Sequence, residues 1–235
     1  MRNYSKSKFT FLKTKENIFI ILLIFIFSLL GCSTQKAQQK YQTVNKDTTM
    51  NKYLDTATLG AGCFWCVEAI FQNLKGVHKV ESGYSGGHVK NPTYEEICTG
   101  TTGHAEVTRT TFDPEIISYE HLLDVFWHTH DPTTLNKQGA DVGTQYRSVI
   151  FYHNEKQKEI AETSKEKTDS SELWNAPIVT DISPLEEYYT AEDYHQNYYN
   201  SNTNQPYCSA MIAPKLQKFF KEFGFLLKDN SKTDN

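Results

Sequence analysis

The stretch TATLGAGCFWCVEAIFQNLKG, residues 56–76, joins a short strand to an amphipathic helix through a sharp turn. Thr56 to Ala61 is predicted to be the strand, and Gly62 permits the turn. The helix is predicted over Cys63 to Leu74, because apolar residues recur there at helical spacing and a glycine follows. This order places the sulfur of Cys63 at a helix N-terminus, where free N–H groups and the helix dipole are expected to lower its pKa.

The predicted elements give an α+β fold with a ferredoxin-like βαββαβ core and added helices. Two long segments, 86–103 and 129–145, separate these elements; loops of that length in a compact domain are usually functional, so they are predicted to be active-site loops. The further strands are predicted at 77–84, 104–112, 146–152 and 178–182. The further helices are predicted after a Ser118 cap, at 154–166 with an Asn154 cap, at 191–199 and at 215–223.

The first 31 residues have the form of a lipoprotein signal peptide. Basic residues precede an almost wholly apolar run at 18–30, which is short for a membrane span. The string Leu29-Leu30-Gly31-Cys32 resembles the lipobox of bacterial lipoproteins and implies cleavage before Cys32 and acylation of its thiol. A plain transmembrane anchor is the alternative. Both predict a protein of the cell envelope, tethered to a membrane outside the cytoplasm; with two membranes this is the outer membrane or the periplasmic face.

The remaining chain divides by composition into a tether, a domain and a tail. Residues 32–52 are polar and are predicted to be a flexible tether, residues 53–229 form one domain, and residues 230–235 are a disordered tail. The chain has 14 Tyr and 14 Phe, which are enough aromatic residues to build a sizeable core. Its formal net charge of -4 gives no indication of nucleic-acid binding. A monomer without a cofactor is predicted.

The cysteines leave several interpretations open. Cys63 and Cys66 form a C-x-x-C pair, which suits a redox pair or half of a zinc site. Cys98 and Cys208 are isolated, so the further ligands that zinc needs are absent from the pattern and no metal is predicted. A general disulfide oxidoreductase and a non-catalytic, lipid-anchored binding module with two disulfides are the alternative functions. Cys98 is predicted to be a buried structural residue.

Other residues suit acid catalysis and ligand binding. Glu106 lies on an alternating strand, where burial would raise its pKa and make it a proton donor; an exposed strand carboxylate is the plainer interpretation. The hydroxyls of Tyr94 and Tyr146 could donate to an oxygen in a site. Phe64 and Trp65 fall outside the apolar stripe of the first helix, so they either wall an apolar pocket or cover the edge of the sheet.

Seven short strings, taken in order, resemble the peptide methionine sulfoxide reductase A family. The resemblance runs from about residue 56 to residue 208, which is nearly the whole predicted domain. Each string is moderately specific alone, and together they leave little room for chance. They are GCFW at 62–65, SGYSGG at 82–87, NPTY at 91–94, TGHAE at 102–106, HDPT at 130–133, GTQYRS at 143–148 and YHQ at 194–196.

The resemblance implies an enzyme that reduces methionine-S-sulfoxide, in oxidised proteins or as the free amino acid, to methionine. Cys63 attacks the sulfoxide sulfur while a protonated Glu106 gives its proton to the oxygen. The resulting sulfenic acid condenses with a second thiol, and an external thioredoxin-like dithiol reduces the disulfide. A neutral Glu106 beside a thiolate is physically reasonable, since like charges in one pocket raise the pKa of a carboxyl group.

The resemblance also assigns supporting roles. Tyr94 and Tyr146 hydrogen-bond the sulfoxide oxygen or the catalytic carboxyl, and Asp141 supports the polar side of the site through water. The substrate-binding residues are Phe64, Trp65 and Tyr207, the first two forming a cradle for the substrate methyl group.

Two thiols are candidates for the resolving role. Cys208 follows Gln205-Pro206-Tyr207 on a segment expected to be a coil-like tail, and it is the favoured partner of Cys63. Cys66 lies where many family members have glycine, and a helical spacing of three would let it reach Cys63 with local adjustment. A relay through both thiols is the third route. His195 is interpreted as a structural histidine near the site rather than a base.

Overall fold

The computed structural model describes residues 54–229 of the chain. The predicted signal peptide, the lipidation residue Cys32, the tether and the C-terminal tail lie outside the described residues. Within residues 54–229, no helix has both the length and the apolar character needed to cross a membrane.

A six-stranded sheet forms the centre of the described part of the chain. Neighbouring strands in this sheet are antiparallel, except for one parallel pair at an edge. A separate two-stranded hairpin is not part of the sheet. The sheet strands are β1 (Asp55–Ala61), β2 (Val77–Ser85), β3 (Ala105–Phe112), β6 (Ser148–Tyr152), β7 (Asp181–Pro184) and β8 (Tyr188–Thr190), and the hairpin consists of β4 (Lys137–Gln138) and β5 (Asp141–Val142). The order in the sheet is β7-β6-β1-β3-β2-β8, with β6–β7 the parallel pair.

Helices connect the strands and follow them. The α-helices are α1 (Phe64–Phe71), α2 (Tyr94–Cys98), α3 (Tyr119–Thr129), α4 (Glu155–Asp169), α5 (Tyr198–Ser201) and α6 (Ala213–Glu222). Short 3-10 helices cover Thr144–Tyr146, Asp193–His195 and Gly224–Leu226, and Cys208–Ile212 is a π-helix. Ser118 caps α3 and Asn154 caps α4, as predicted from the sequence.

The core positions the end of β1 and the start of α1. Apolar side chains of α1, including Val67 and Ile70, and of α3, including Leu122 and Phe126, belong to one buried cluster. Burying a large apolar side chain of this kind stabilises a fold by about 1.5–3 kcal/mol. The junction between β1 and α1 is therefore held on a rigid base.

Several predicted boundaries differ from the structure. The first helix ends at Phe71 and not at Leu74, which instead makes an isolated bridge with Leu227. The strand predicted from Tyr146 begins at Ser148, and the tyrosine lies in a 3-10 helix. The single helix predicted over 191–199 is two short ones, because Asn197 between them adopts a left-handed conformation with φ of 51°.

Candidate active site

Cys63 lies at the junction of β1 and α1. It is the N-cap residue of α1, and its side chain is buried, with 7% of the residue exposed. Gly62 before it has a φ of +87°, and a Cβ atom there would lie 2.6 Å from the Cβ of Gln138. Only glycine combines that backbone conformation with so close an approach. The hairpin strand β4, which carries Gln138, thus covers the turn that presents the thiol.

Burial sets the acidity of Cys63. Desolvation raises the pKa of the Cys63 thiol well above its ordinary value, and the neighbouring Cys66 and Glu106 add to the rise. The prediction that the helix N-terminus lowers this pKa is therefore wrong. The free energy needed to bury the thiolate in this packed site exceeds the stabilisation that the helix N-terminus gives it. Cys66 differs: its hydrogen bond with Cys63 lowers its pKa, and the Lys215 ammonium adds to that.

Glu106 is a buried carboxyl group next to the start of α1. It lies on β3 opposite Tyr84 of β2 and is 1% exposed. Its Oε2 accepts a hydrogen bond from the backbone N–H of Phe64 at 3.1 Å. Burial raises the pKa of Glu106 to about 8, with smaller contributions from the charges of Asp141 and Cys66. The carboxyl group is therefore mostly protonated at pH 7, in the predicted direction, and holds a proton that it can donate.

The two tyrosines predicted for the site are half-buried near this carboxyl group. Tyr94 is the first residue of α2, and Tyr146 ends the 3-10 helix Thr144–Tyr146. Burial raises the pKa of each phenol, and the charge of Glu106 is the next largest cause in both. Both hydroxyls therefore stay protonated and lie within the field of Glu106, where they can donate hydrogen bonds.

Aromatic side chains surround the start of α1. Phe64 is 1% exposed, with its ring centroid 5.0 Å from that of His195. Trp65 is half-buried and stacks on Tyr198 with centroids 3.7 Å apart and planes 8° apart. The edge of Tyr207 faces the indole at 5.9 Å. The face of Phe64 is thus packed into the core, whereas Trp65 belongs to an aromatic group at the surface of the site.

Tyr207 connects the thiols to the acidic side of the site. Its hydroxyl donates to Oδ2 of Asp141 at 2.7 Å. Hydrogen bonds with the same hydroxyl also lower the pKa of Cys63 and of Cys66. Asp141 therefore contacts Tyr207 directly, in addition to any role through water.

Two cysteines lie in surroundings that differ from those predicted from the sequence. Cys208 was expected on a coil-like tail, but it is fully buried at the start of the π-helix Cys208–Ile212. Burial raises its pKa, and the charge of Cys66 adds to the rise. Cys98 was expected to be buried, but it is exposed at the end of α2. All four cysteines of the described residues are free thiols.

His195 is a buried histidine with a defined tautomer. Its Nδ1 accepts a hydrogen bond from Nε1–H of Trp65 at 3.2 Å, so the proton of the neutral ring is on Nε2. Burial lowers its pKa, which keeps the ring neutral at pH 7. A neutral ring that orients the indole of Trp65 agrees with the interpretation of His195 as a structural histidine rather than a base.

Three charged residues near the site were missed by sequence reasoning. Glu192 accepts hydrogen bonds from the hydroxyl of Tyr84 and the N–H of Tyr94. Glu68, buried on α1, accepts from the N–H of Asn197. The third is Lys215, whose positive charge lowers the pKa of Cys66. The position of Glu192, just before the YHQ string, was the one available signal.

The structure brings the predicted site residues into one region. Within residues 54–229, no three His, Cys, Asp or Glu side chains converge as metal ligands would. The arrangement offers a neutral buried acid, a thiol beside it and phenolic donors, which suits attack on a polar substrate whose oxygen must be protonated. The residues brought together are Cys63, Phe64, Trp65, Cys66, Tyr94, Glu106, Asp141, Tyr146 and Tyr207.

Comparison with known proteins gives consistent matches. A family model described as peptide methionine sulfoxide reductase matches residues 55–225. The chain is 54% identical to peptide methionine sulfoxide reductase MsrA of Saccharolobus solfataricus over 170 residues, covering 72% of this chain and 95% of the relative. It is 54% identical to the MsrA of Acinetobacter baumannii over 176 residues, covering 75% and 99%. The solved structure of methionine sulfoxide reductase A of Corynebacterium diphtheriae matches with a TM-score of 0.57 at 37% identity, covering 64% of this chain and 76% of the other.

Proposed function

The chain belongs to the peptide methionine sulfoxide reductase family, and from that premise we propose that Cys63 and Glu106 reduce methionine sulfoxide. The enzyme is a peptide methionine sulfoxide reductase. The observation that carries the roles of these two residues is the buried, protonated carboxyl group of Glu106, bonded to the N–H that directly follows Cys63. Family membership disfavours the disulfide oxidoreductase and the non-catalytic binding module.

The chemical step moves one oxygen atom between two sulfurs. The sulfur of Cys63 attacks the sulfoxide sulfur, and Glu106 gives its proton to the sulfoxide oxygen as the sulfur–oxygen bond breaks. The proton of the Cys63 thiol returns to the carboxylate. The oxygen, released as hydroxide, then attacks the Cys63 sulfur and breaks the sulfur–sulfur bond formed in the first attack. Methionine leaves reduced by two electrons, and Cys63 is oxidised to a sulfenic acid. Because both groups are neutral at rest, the buried site never has to hold two negative charges.

The other site residues support this step. The hydroxyls of Tyr94 and Tyr146 donate to the oxygen as negative charge develops on it. Trp65 and Tyr207 contact the substrate side chain, with Phe64 behind them, and Asp141 orients Tyr207. This arrangement serves the S epimer of the sulfoxide, both in oxidised proteins and in the free amino acid.

Two cysteines act in turn to resolve the sulfenic acid. Cys66 attacks first, because its thiol is hydrogen-bonded to Cys63 and its pKa is lowered. This attack forms the disulfide Cys63–Cys66 and releases water. The thiol of Cys208 then attacks Cys66, frees Cys63, and leaves the disulfide Cys66–Cys208. A thioredoxin-like dithiol reduces that disulfide and is itself oxidised.

The finer fold assignment and the cellular location are part of the proposal. The order β6-β1-β3-β2, antiparallel throughout, with α1 and α3 as the crossing helices, supports a ferredoxin-like core. The string Leu29-Leu30-Gly31-Cys32 supports export as a lipoprotein, with a monomeric enzyme anchored to a membrane of the cell envelope. Mass spectrometry of the mature N-terminus in wild type and Cys32→Ser tests the acylation; an unmodified Cys32 contradicts it.

One assay tests the proposed activity. The full chain receives a dithiol and a peptide carrying either epimer of methionine sulfoxide, and methionine formation is measured. We expect turnover of the S epimer by wild type and none by Cys63→Ser. Cys98→Ser is the cysteine control, since its thiol is exposed and serine keeps a hydrogen-bonding group beside the Tyr94 hydroxyl. Turnover that persists in Cys63→Ser, or that is absent from wild type, contradicts the proposal.

A further inference from the structure

The carboxylate of Glu192 joins three segments that surround the site. Its Oε1 accepts the backbone N–H of Tyr94 at 2.9 Å, and its Oε2 accepts the hydroxyl of Tyr84 at 2.9 Å. The same Oε2 lies 3.9 Å from Nε2 of His195. One side chain thus links the end of β2, the start of α2 and the 3-10 helix Asp193–His195.

Three groups that face this carboxylate are hydrogen-bond donors: the N–H of Tyr94, the hydroxyl of Tyr84 and the ring of His195. The ring of His195 carries its proton on Nε2, because Nδ1 accepts from Trp65. That buried Nε2 has no hydrogen-bond partner among the described residues, and it lies at the carboxylate side. Tyr84 is fully buried and directs its hydroxyl to the same oxygen. An acceptor with two oxygens fits this cluster of donors.

The contact with Tyr94 bears directly on the chemistry. The N–H that Glu192 accepts belongs to the residue whose hydroxyl serves the sulfoxide oxygen, and the ring of that residue stands edge-on to His195 at 4.3 Å. The short helix α2 begins there after a long loop. The capping box of Thr93 and Glu96 closes its own first turn, whereas the bond from the Tyr94 N–H to Glu192 joins that turn to the 3-10 helix Asp193–His195. The hydrogen bond to the backbone N–H of Tyr94 fixes the position of its backbone, and therefore the position from which its side chain extends into the site.

We propose that Glu192 is a positioning residue that holds Tyr94 with its hydroxyl toward the sulfoxide oxygen beside Glu106. This inference rests on the proposed function. The hydroxyl strengthens its bond as charge develops on the oxygen, so its misplacement slows the chemical step more than it weakens substrate binding. A displacement of a catalytic group by about 1 Å costs roughly ten- to a hundredfold in rate.

Two conservative variants separate the effect of the side-chain length of Glu192 from the effect of its negative charge. Glu192→Gln keeps the length of the side chain, and its amide oxygen still accepts the Tyr94 N–H. Glu192→Asp keeps the charge but is one methylene shorter and loses that contact. We expect Glu192→Asp to lower kcat for the S-sulfoxide peptide about tenfold with KM within about twofold, and Glu192→Gln to stay within about threefold of wild type. Glu187→Ala, which removes an exposed carboxylate five residues earlier in the chain, is the control with unchanged kcat.

A double-mutant cycle tests the route of the effect. In a Tyr94→Phe background the hydroxyl is gone, so Glu192→Asp is expected to cost less than about twofold further. Equal losses in both backgrounds, a loss in Glu192→Gln with an active Glu192→Asp, or a change confined to KM overturns the proposal. Inactivity of both variants with a lower melting temperature also overturns it, as a folding role. A wild type without sulfoxide turnover instead overturns the proposed function.

Discussion

Replacing Glu106 by glutamine separates the acid role of this residue from its structural contact. An amide oxygen at this position still accepts the N–H of Phe64, now 3.1 Å from Oε2, so the start of α1 keeps its partner. The amide has no proton to give to the sulfoxide oxygen. Losing a general acid of this kind costs about 10²–10⁴-fold in kcat. We therefore expect Glu106→Gln to fold and to be nearly inactive.

The same variant should be more stable than wild type at neutral pH. Burial raises the pKa of Glu106 from an ordinary value of 4.5 to about 8, so the folded state holds a proton that the unfolded state has released. A raised carboxyl pKa lowers the free energy of unfolding as pH rises from 4.5 to 8, with no further loss above that. At pH 7 the cost is about 3 kcal/mol, from 1.36 kcal/mol per pH unit over 2.5 units. Glutamine does not titrate, so the variant escapes this cost.

Two measurements check these expectations. Urea unfolding followed by tryptophan fluorescence gives the free energy of both proteins at pH 5 and pH 7, and the advantage of Glu106→Gln should grow by about 2–3 kcal/mol between them. Single-turnover sulfenic acid formation, followed from pH 6 to pH 9, should fall in wild type as pH rises through about 8. A stability difference that does not change with pH, or a variant within tenfold of wild-type turnover, refutes the reasoning.

Three further perturbations test the site. In Cys208→Ser, one equivalent of S-sulfoxide should leave a disulfide between Cys66 and the nucleophile, found by mass spectrometry; a persistent sulfenic acid contradicts the relay. Gly62→Ala should cost about 1–3 kcal/mol in urea unfolding, because φ is +87° and the new Cβ would meet Gln138 at 2.6 Å; an unchanged midpoint contradicts this. Trp65→Phe should lose about 1–3 kcal/mol, since it leaves the buried Nδ1 of its histidine partner without a donor; a stability equal to wild type in urea unfolding contradicts this.

Local patterns predicted much of the fold. The strand, glycine and helix at 56–71, and the caps Ser118 and Asn154, follow from periodicity and side-chain chemistry within a few residues. The helix α2 was missed although its signal is local: Thr93 and Glu96 form a capping box, whose pattern is visible in the sequence. The hairpin β4–β5 has only two residues per strand, which is too short for a periodic signal.

The acidity of the site could not be predicted in the same way. For Cys63 the local argument from the helix end gave the wrong direction, because burial depends on residues from distant parts of the chain. For Glu106 the alternation left burial and exposure open, because residues 105–108 of β3 are buried on both faces; the resemblance of the TGHAE string to the reductase family is what indicated a protonated acid. The place of Cys208 depends on how the C-terminal segment packs, which no local pattern in that segment describes.

The π-helix at Cys208–Ile212 determines how the chain can respond to the deletion of one residue in this segment. A π-turn holds one residue more than an α-turn of the same span. Deleting one residue there would restore an α-turn and leave α6 where it is, while turning the preceding residues by about 100° around the helix axis. A single deletion would thus redirect the sulfur of Cys208 together with the core contacts that this buried residue makes, so sequence length in this turn is a means of adjusting which thiol it faces.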